Sequence, residues 1–364
     1  MTENNPLVTL CLLTHNWAKH LEKSLELLIN QSYKNCQIII SDDKSSDNTW
    51  EVIERLQKKY PQIIIRKNVP TINTEEFFDV SVKHIPAEKN TKTYDILFNH
   101  CNSLLKSDLI KGEFIVFCHQ DDLYQTDIVK KEVEFLLEHP EAAGVFTQGN
   151  IIDQHDLIIG QYPFPRDLKG KNIYTFSEIF GAILIHGNFL LTPSFMIRKD
   201  IFDKVGLFDD QGPFGGSDDL EMWLRILEKY PVGILQEKLI HWRTDGRGKK
   251  YNKLRTDKAD YFKLMDYYLQ DRQYIKTVTQ KELRQYLYQK DFDNTLRAMN
   301  FLIKGQESEA KNIINHSFSF ENFLAFFENM KLLRAKVLAL KVILFIGINL
   351  GLGKQLGKML YKFA

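Results

Sequence analysis

The sequence predicts an α/β fold: a doubly wound, largely parallel sheet followed by a helical extension. Three observations predict it. Short, mostly apolar segments at Val8–Leu13, Ile38–Ile40, Ile63–Ile65 and Phe114–Cys118 fit strands buried on both faces of a parallel sheet. Stretches with helical spacing of apolar residues separate them. Beyond about Lys250 the strand signals end while helical ones continue. The 364 residues, 44% hydrophobic, suffice for two domains or one large domain with an extension.

The elements follow in order. Val8–Leu13 runs into the polar turn Thr14-His15-Asn16, and Leu21, Leu25 and Leu28 then stand at i, i+4 and i+7 of a helix. The strand at Ile38–Ile40 is closed by the polar run Ser41–Asn48, which offers N-caps for a helix from Thr49 to about Tyr60. Ile63–Ile65 completes strand–helix–strand–helix–strand with right-handed crossovers. Residues 67–98, with Pro70 and Pro86, lack periodicity and are expected to form an excursion over the active face. Asp95–Leu109 should be helical, Phe114–Cys118 a fourth strand and Ile128–Glu138 a helix. A strand is expected near Ala143–Thr147, irregular segments lead to Ser194–Ile197, and Asp218–Glu228 reads as a strong helix.

Charge divides the chain. There are 48 basic and 47 acidic side chains, and the resulting +1 argues against a general nucleic-acid binder. Lys331–Ala364 holds seven cations and no acid, whereas residues 1–330 hold 41 basic against 47 acidic groups. Four scattered cysteines form no CxxC pair, which fits reduced thiols and not a zinc site. The start MTENNPLVTL lacks the pattern of a signal peptide. The longest uncharged run near the C-terminus, Val342–Gly353, is twelve residues; a membrane span needs ~20.

Ligands of open parallel sheets bind beyond the carboxyl ends of the strands. Three such ends here are polar: Thr14–Asn16, Asp42-Asp43 and His119-Gln120-Asp121-Asp122. Carboxylates along one sheet edge suit Mg²⁺ or Mn²⁺ shared with a diphosphate. Neither GxxxxGK[ST] nor GxGxxG occurs, which excludes P-loop and dinucleotide readings. Singly, each acidic pair reads equally as a turn or helix cap. Their order and spacing carry the specificity.

The segments Val8–Glu54, Gly112–Tyr124 and Thr192–Leu227 together resemble family 2 glycosyltransferases of the GT-A fold, over roughly residues 6–245. The resemblance implies a nucleotide-sugar-binding sheet, with Thr14 and Asn16 beside the nucleotide, Asp43 on the base or ribose, and Asp42 next to it. It implies that Asp121 and Asp122 meet the ribose and a diphosphate-bound Mn²⁺ or Mg²⁺. Asp219 matches the catalytic base, and Asp218 stands where the family often has Glu. Two positions depart from the pattern. His119 replaces the first Asp of the DXD-type motif, and in His241–Asp245 an Asp replaces the family's His, leaving Asp245 as a candidate oxygen ligand.

The implied reaction is inverting transfer of one sugar, since the QxxRW signature of processive members is absent. The implied donor is a nucleoside-diphosphate sugar, UDP first and dTDP next. The acceptor would be a glycan or glycolipid precursor of a bacterial surface polymer such as lipopolysaccharide or capsule. A sugar nucleotidyltransferase is a rival, but Val8–Trp17 lacks the glycines its phosphate loop requires. A catalytically degenerate sugar-nucleotide-binding scaffold is the other.

The organisation expected is a catalytic domain over residues 1–250, with a nucleotide half (1–122) and an acceptor half (123–250), then a helical extension (251–330) and a basic amphipathic tail (331–364). The tail, with Lys331, Arg334 and Lys341 on one helical face, is expected to rest on an anionic membrane surface, the alternative being a helix packed on the protein. That places the chain in the cytoplasm, peripheral on the inner face of the cytoplasmic membrane. Gly347, Gly351 and Gly353 should weaken a continuous helix there.

Overall fold

The computed structural model describes residues 5–68, 93–209, 212–244, 254–318 and 332–362. The chain divides into two compact units: Met1–Ile179 with Asn188–Thr244, and Phe180–Gly187 with Asp245–Ala364. The break after Thr244 precedes the expected boundary at 250, and a short internal segment groups with the helical unit.

The first unit is built on one sheet. Its N-terminal half alternates β1 (Val8–Thr14), α1 (Ala18–Ile29), β2 (Cys36–Asp42), α2 (Thr49–Lys59), β3 (Ile64–Lys67), α3 (Thr93–Leu105) and β4 (Phe114–His119). There follow β5 (Leu123–Tyr124), α4 (Ile128–Glu138), β6 (Gly144–Ile152), β7 (Ile158–Gln161), β8 (Ile173–Tyr174), α5 (Phe176–His186, grouped from Phe180 onward with the second unit), β9 (Met196–Arg198), α6 (Ile201–Val205), α7 (Asp218–Leu227) and β10 (Val232–Arg243). The strand order is β3-β2-β1-β4-β9-β6-β10-β5. Leu10 and Leu12 of β1 share a core with Leu21, Leu25 and Leu28 of α1 and with Ile53 and Leu56 of α2. Each such buried leucine stabilises the fold by ~1.5–3 kcal/mol. Gly112 lets the chain enter β4: its N–H donates to Thr9 Oγ1 at 2.9 Å, and a Cβ would lie 2.5 Å from Thr9 N.

Several expectations change. The sheet is mixed, because β9 runs antiparallel to both neighbours, β4 and β6. β10 escapes a periodicity reading because the polar run Gln236-Glu237-Lys238 interrupts it, and the ladder to β6 absorbs that run as register shifts. α3 ends at Leu105, not Leu109. Most of the expected excursion over 67–98 lies outside the described residues.

The second unit is helical, and no described residue beyond Arg243 is in a strand. It contains α8 (Asp260–Asp266), α9 (Gln280–Ile303), α10 (Glu307–His316), α11 (Leu332–Asn349) and α12 (Gly353–Tyr361). Thr279 and Glu282 close a capping box at the start of α9. Ala298, Leu302, Ala310, Ile314, Leu344 and Ile348 form the core.

The expected separate tail is corrected here. Residues 332–361 form two helices that pack into this unit, and α11 passes through Gly347 to end before Gly351 at φ +75°. Gly357 of α12 comes so close to α9 that a Cβ would lie 2.3 Å from Leu302 O. Lys341, expected on a membrane-facing cationic face, is buried. Its Nζ donates to both Asp291 carboxylate oxygens at 2.8 Å and to Ser317 O at 2.5 Å. Arg334 lies over the Tyr288 ring and donates to Gln285. Among the described residues, no helix is long and apolar enough to cross a membrane.

Breaking a buried ion pair by removing one partner costs ~3–5 kcal/mol, whereas replacing both with apolar groups is often near neutral. Lys341→Met should therefore lower the protection of α9 and α11 amides in hydrogen exchange by that amount. Adding Asp291→Leu should restore most of it.

Candidate active site

The carboxyl ends of β1, β2 and β3 form a polar edge stitched by short bonds. Asn16, at φ +48°, presents Oδ1 to the N–H groups of Ser46 (2.7 Å) and Asp47 (3.3 Å), and its own N–H donates to Ser45 Oγ at 2.8 Å. Lys44, at φ +56°, turns the chain so that Asp42 accepts from both the N–H (3.0 Å) and the hydroxyl (2.5 Å) of Ser45. Asp42 is thus committed to the turn. Its neighbour Asp43 is buried, accepts from Asn68 Nδ2 at 2.8 Å and gives its carbonyl to His15 Nδ1 at 2.7 Å. Thr14 donates to Gln120 Oε1, joining this edge to the loop after β4. The sequence reading overlooked Asn68; its only signal is a polar residue directly after the third apolar strand.

The loop His119–Asp122 is held from four sides. His119 N–H donates to Tyr124 Oη at 2.9 Å, and Ser24 Oγ donates to Asp122 O at 2.8 Å. Arg243 N–H donates to Asp122 Oδ1 at 2.8 Å, and its Nε to Asp121 O at 2.8 Å. The same guanidinium reaches Asp153 O at 2.6 Å and the Asp156 carboxylate. Arg243 was legible only as part of a motif, not as a clamp.

The ligand atoms of His119, Asp121 and Asp122 lie within 4.8 Å of one another. Asp122 Oδ2 is buried with no hydrogen-bond partner and sits 3.7 Å from His119 Nδ1. Burial, reinforced by Asp121, pushes the Asp122 carboxyl well above the ordinary range. Burial pushes the His119 imidazole down, against the opposing pull of Asp121 and Asp219. A neutral imidazole, an orphaned buried carboxylate oxygen and a second carboxylate are a donor set that fits a divalent cation. Asp245, the further candidate ligand, lies outside the described residues.

The third component comes from α7. Thr192 Oγ1 donates to Asp219 Oδ2 at 2.7 Å and accepts from Trp223 Nε1 at 3.2 Å. Trp223 is fixed by Phe195, whose ring centre is 4.6 Å away, and by Phe146 and Phe208. Burial raises the Asp219 carboxyl, and the Thr192 hydrogen bond opposes that rise. Asp218 differs: it is buried at the helix start, while Asp219 is only partly covered. Tyr162, which the sequence reading did not single out, lies within electrostatic reach of Asp219 and Asp122. Burial pushes its phenol up to about 12, and both Asp219 and Asp122 add to the shift. Its ring meets Trp242 edge-on at 5.7 Å.

Comparisons with known proteins point to glycosyltransferases. The sequence model of the family described as Glycosyl transferase family 2 matches residues 9–69. The chain is 25% identical over 232 residues to the Escherichia coli UDP-Glc:alpha-D-GlcNAc-diphosphoundecaprenol beta-1,3-glucosyltransferase WfaP, covering 61% of this chain and 71% of that protein. It is 24% identical over 247 residues to the putative glycosyltransferase EpsE of Bacillus subtilis, covering 66% and 74%. The S. aureus TarS crystal structure superposes with a TM-score of 0.50 at 12% identity, covering 94% of this chain and 54% of that one. That likeness shows the fold. The matched strand–turn segment and the named relatives together support a glycosyltransferase similar to those of family 2.

Proposed function

We propose that the chain transfers a single sugar, with inversion, from a nucleoside-diphosphate sugar to a hydroxyl of a lipid-linked precursor of a bacterial surface glycan. One observation carries the reading. His119 of the cation loop lines one pocket with Thr192, whose hydroxyl holds Asp219, and with Trp223, so the base candidate and the cation site share one space. The name of the WfaP relative, with its UDP-sugar donor and diphosphoundecaprenol-linked acceptor, supports UDP ahead of dTDP and a lipid carrier. Such an acceptor would bring the reaction to the inner face of the cytoplasmic membrane.

Thr14, Asn16 and Asp43, with Asn68, would receive the nucleoside, and Asp121 would face the ribose. His119, Asp121 and Asp122 would hold a divalent cation. The imidazole nitrogen favours Mn²⁺ over Mg²⁺, which prefers oxygen ligands throughout. Such an ion, when bound, supplies positive charge against the leaving diphosphate. The acceptor oxygen attacks the anomeric carbon from the face opposite the diphosphate, the carbon–diphosphate bond breaks, and Asp219 takes the hydroxyl proton. Thr192 and Trp223 aim Asp219, and Asp218 is buried beside it at the start of the same helix.

Asp122→Asn keeps a bond acceptor for Arg243 N–H but removes the carboxylate charge. Mn²⁺ affinity by calorimetry should fall by at least about tenfold, since even outer partners of metal ligands carry that much. Unchanged affinity, with no effect of chelator on the parent, would remove the cation from this loop.

Asp219→Asn should lower the transfer rate by ~10²–10⁴-fold while donor affinity stays near that of the parent. Because Asp219 must be ionised to act, and its carboxyl is raised, the acidic limb of the rate profile should lie above the ordinary aspartate range. The Thr192 hydroxyl stabilises the ionised form, so Thr192→Val should move that limb to still higher pH. A limb that stays in place would assign the base elsewhere.

A further inference from the structure

The C-terminal helices α11 and α12 turn an unusual face outward. On α11 the buried residues are Val337, Lys341, Leu344 and Ile348, spaced by four, three and four. The opposite arc of about 180°, taking ~100° per residue, carries Val342, Ile343, Phe345 and Ile346 and continues into Leu350. Ile343 is 49% exposed, Ile346 50% and Leu350 68%. Lys341 of this helix is inside, while the aliphatic side chains of this arc are outside.

On α12 the exposed stripe is Lys354, Lys358 and Lys362, spaced by four and flanked by exposed Met359 and Tyr361. Lys336 is exposed at the other end of α11, and no acid occurs anywhere after Met330. Scattered exposed aliphatics need no explanation, but a contiguous arc on a helix pair that exposes cations and carries no acid does.

We propose that α11 and α12 form an insertion face for an anionic lipid bilayer. The aliphatic arc enters the boundary between headgroups and acyl chains, and Lys336, Lys354, Lys358 and Lys362 engage the lipid charges. Val342–Leu352 would extend only ~16 Å at 1.5 Å per residue, about half the ~30 Å hydrocarbon core, so the helix lies in the interface. A second copy of the chain is a poorer occupant. A two-fold contact through this face would set cations against cations with no acid within residues 331–364 to pair with them. The inference is independent of the catalytic reading, and it differs from a cationic-face reading in making the aliphatic side chains the anchor.

The full chain is floated with vesicles of phosphatidylcholine and phosphatidylglycerol at three to one. The parent should float, and Ile343→Glu with Ile346→Glu should weaken binding at least tenfold at low and high salt alike. Changing Lys354, Lys358 and Lys362 to Gln should weaken binding at low salt and flatten its salt dependence. Ile346→Trp keeps the face apolar, so its emission should shift to the blue on adding vesicles even if the Glu variants fold poorly. A parent that does not float, equal flotation of parent and double Glu variant, or an unshifted Trp emission would each overturn the proposal. So would a dimer, seen by light scattering, that the double Glu variant converts to monomer, because that assigns the face to a second copy.

Discussion

The catalytic unit is organised around one buried positive charge. Arg243 ends β10, and its guanidinium is 1% exposed. An ion so placed must find compensation within the protein, because removing it from water costs several kcal/mol. The parallel pairing of β10 with β6 sets Arg243 opposite Ile152, beside the turn that leads into β7. That turn supplies Asp153 O and the Asp156 carboxylate. Burial acts to raise Asp156, but hydrogen bonds from Lys23 and Arg243 hold it below its ordinary range. With Lys23 belonging to α1, the single charge ties together α1, the loop after β4, the β6–β7 turn and the end of β10.

The same clamp determines what Asp122 can do. Its Oδ1 is taken by Arg243 N–H, while Oδ2 is left buried and without a hydrogen bond. Leaving a buried carboxylate oxygen unpaired is costly, and proteins rarely accept it without a use. Orienting one oxygen with the backbone and offering the other is how an outer contact positions a metal ligand. The site therefore depends on β10, the strand that the sequence concealed most completely.

What was legible followed from two regularities. Strands buried on both faces are continuous apolar runs, so β1, β2, β3 and β4 and the order of their helices could be read directly. Polar residues at the ends of such strands have few structural uses, so Thr14, Asn16, Asp43 and Asp121-Asp122 stood out. β9 was too short to declare its antiparallel direction, and the bulged β10 showed two apolar pieces with a polar gap. Adjacent acids were also unresolvable, because neighbouring side chains project in different directions in either a strand or a helix. Only geometry shows that Asp42 is bound to its turn and that Asp218 is buried while Asp219 is partly open. Arg243 was visible only within the His241–Asp245 motif, and Tyr162 left no pattern at all, since each acts through contacts distant in sequence.

The helical unit illustrates a limit of periodicity with a physical origin. When a helix is aliphatic on opposite sides, burial alone hardly distinguishes one rotation from another. On α11 the distinguishing group is Lys341, which reaches both oxygens of Asp291 only when Val337, Leu344 and Ile348 face inward. A buried ion pair adds little net stability compared with apolar residues of similar size. Its effect is on specificity: any other rotation would leave Asp291 buried without its cation and Lys341 without its anion. By penalising the alternatives, one lysine in the core keeps Ile343, Ile346 and Leu350 outside, so the exposed aliphatic face is a consequence of the internal pairing.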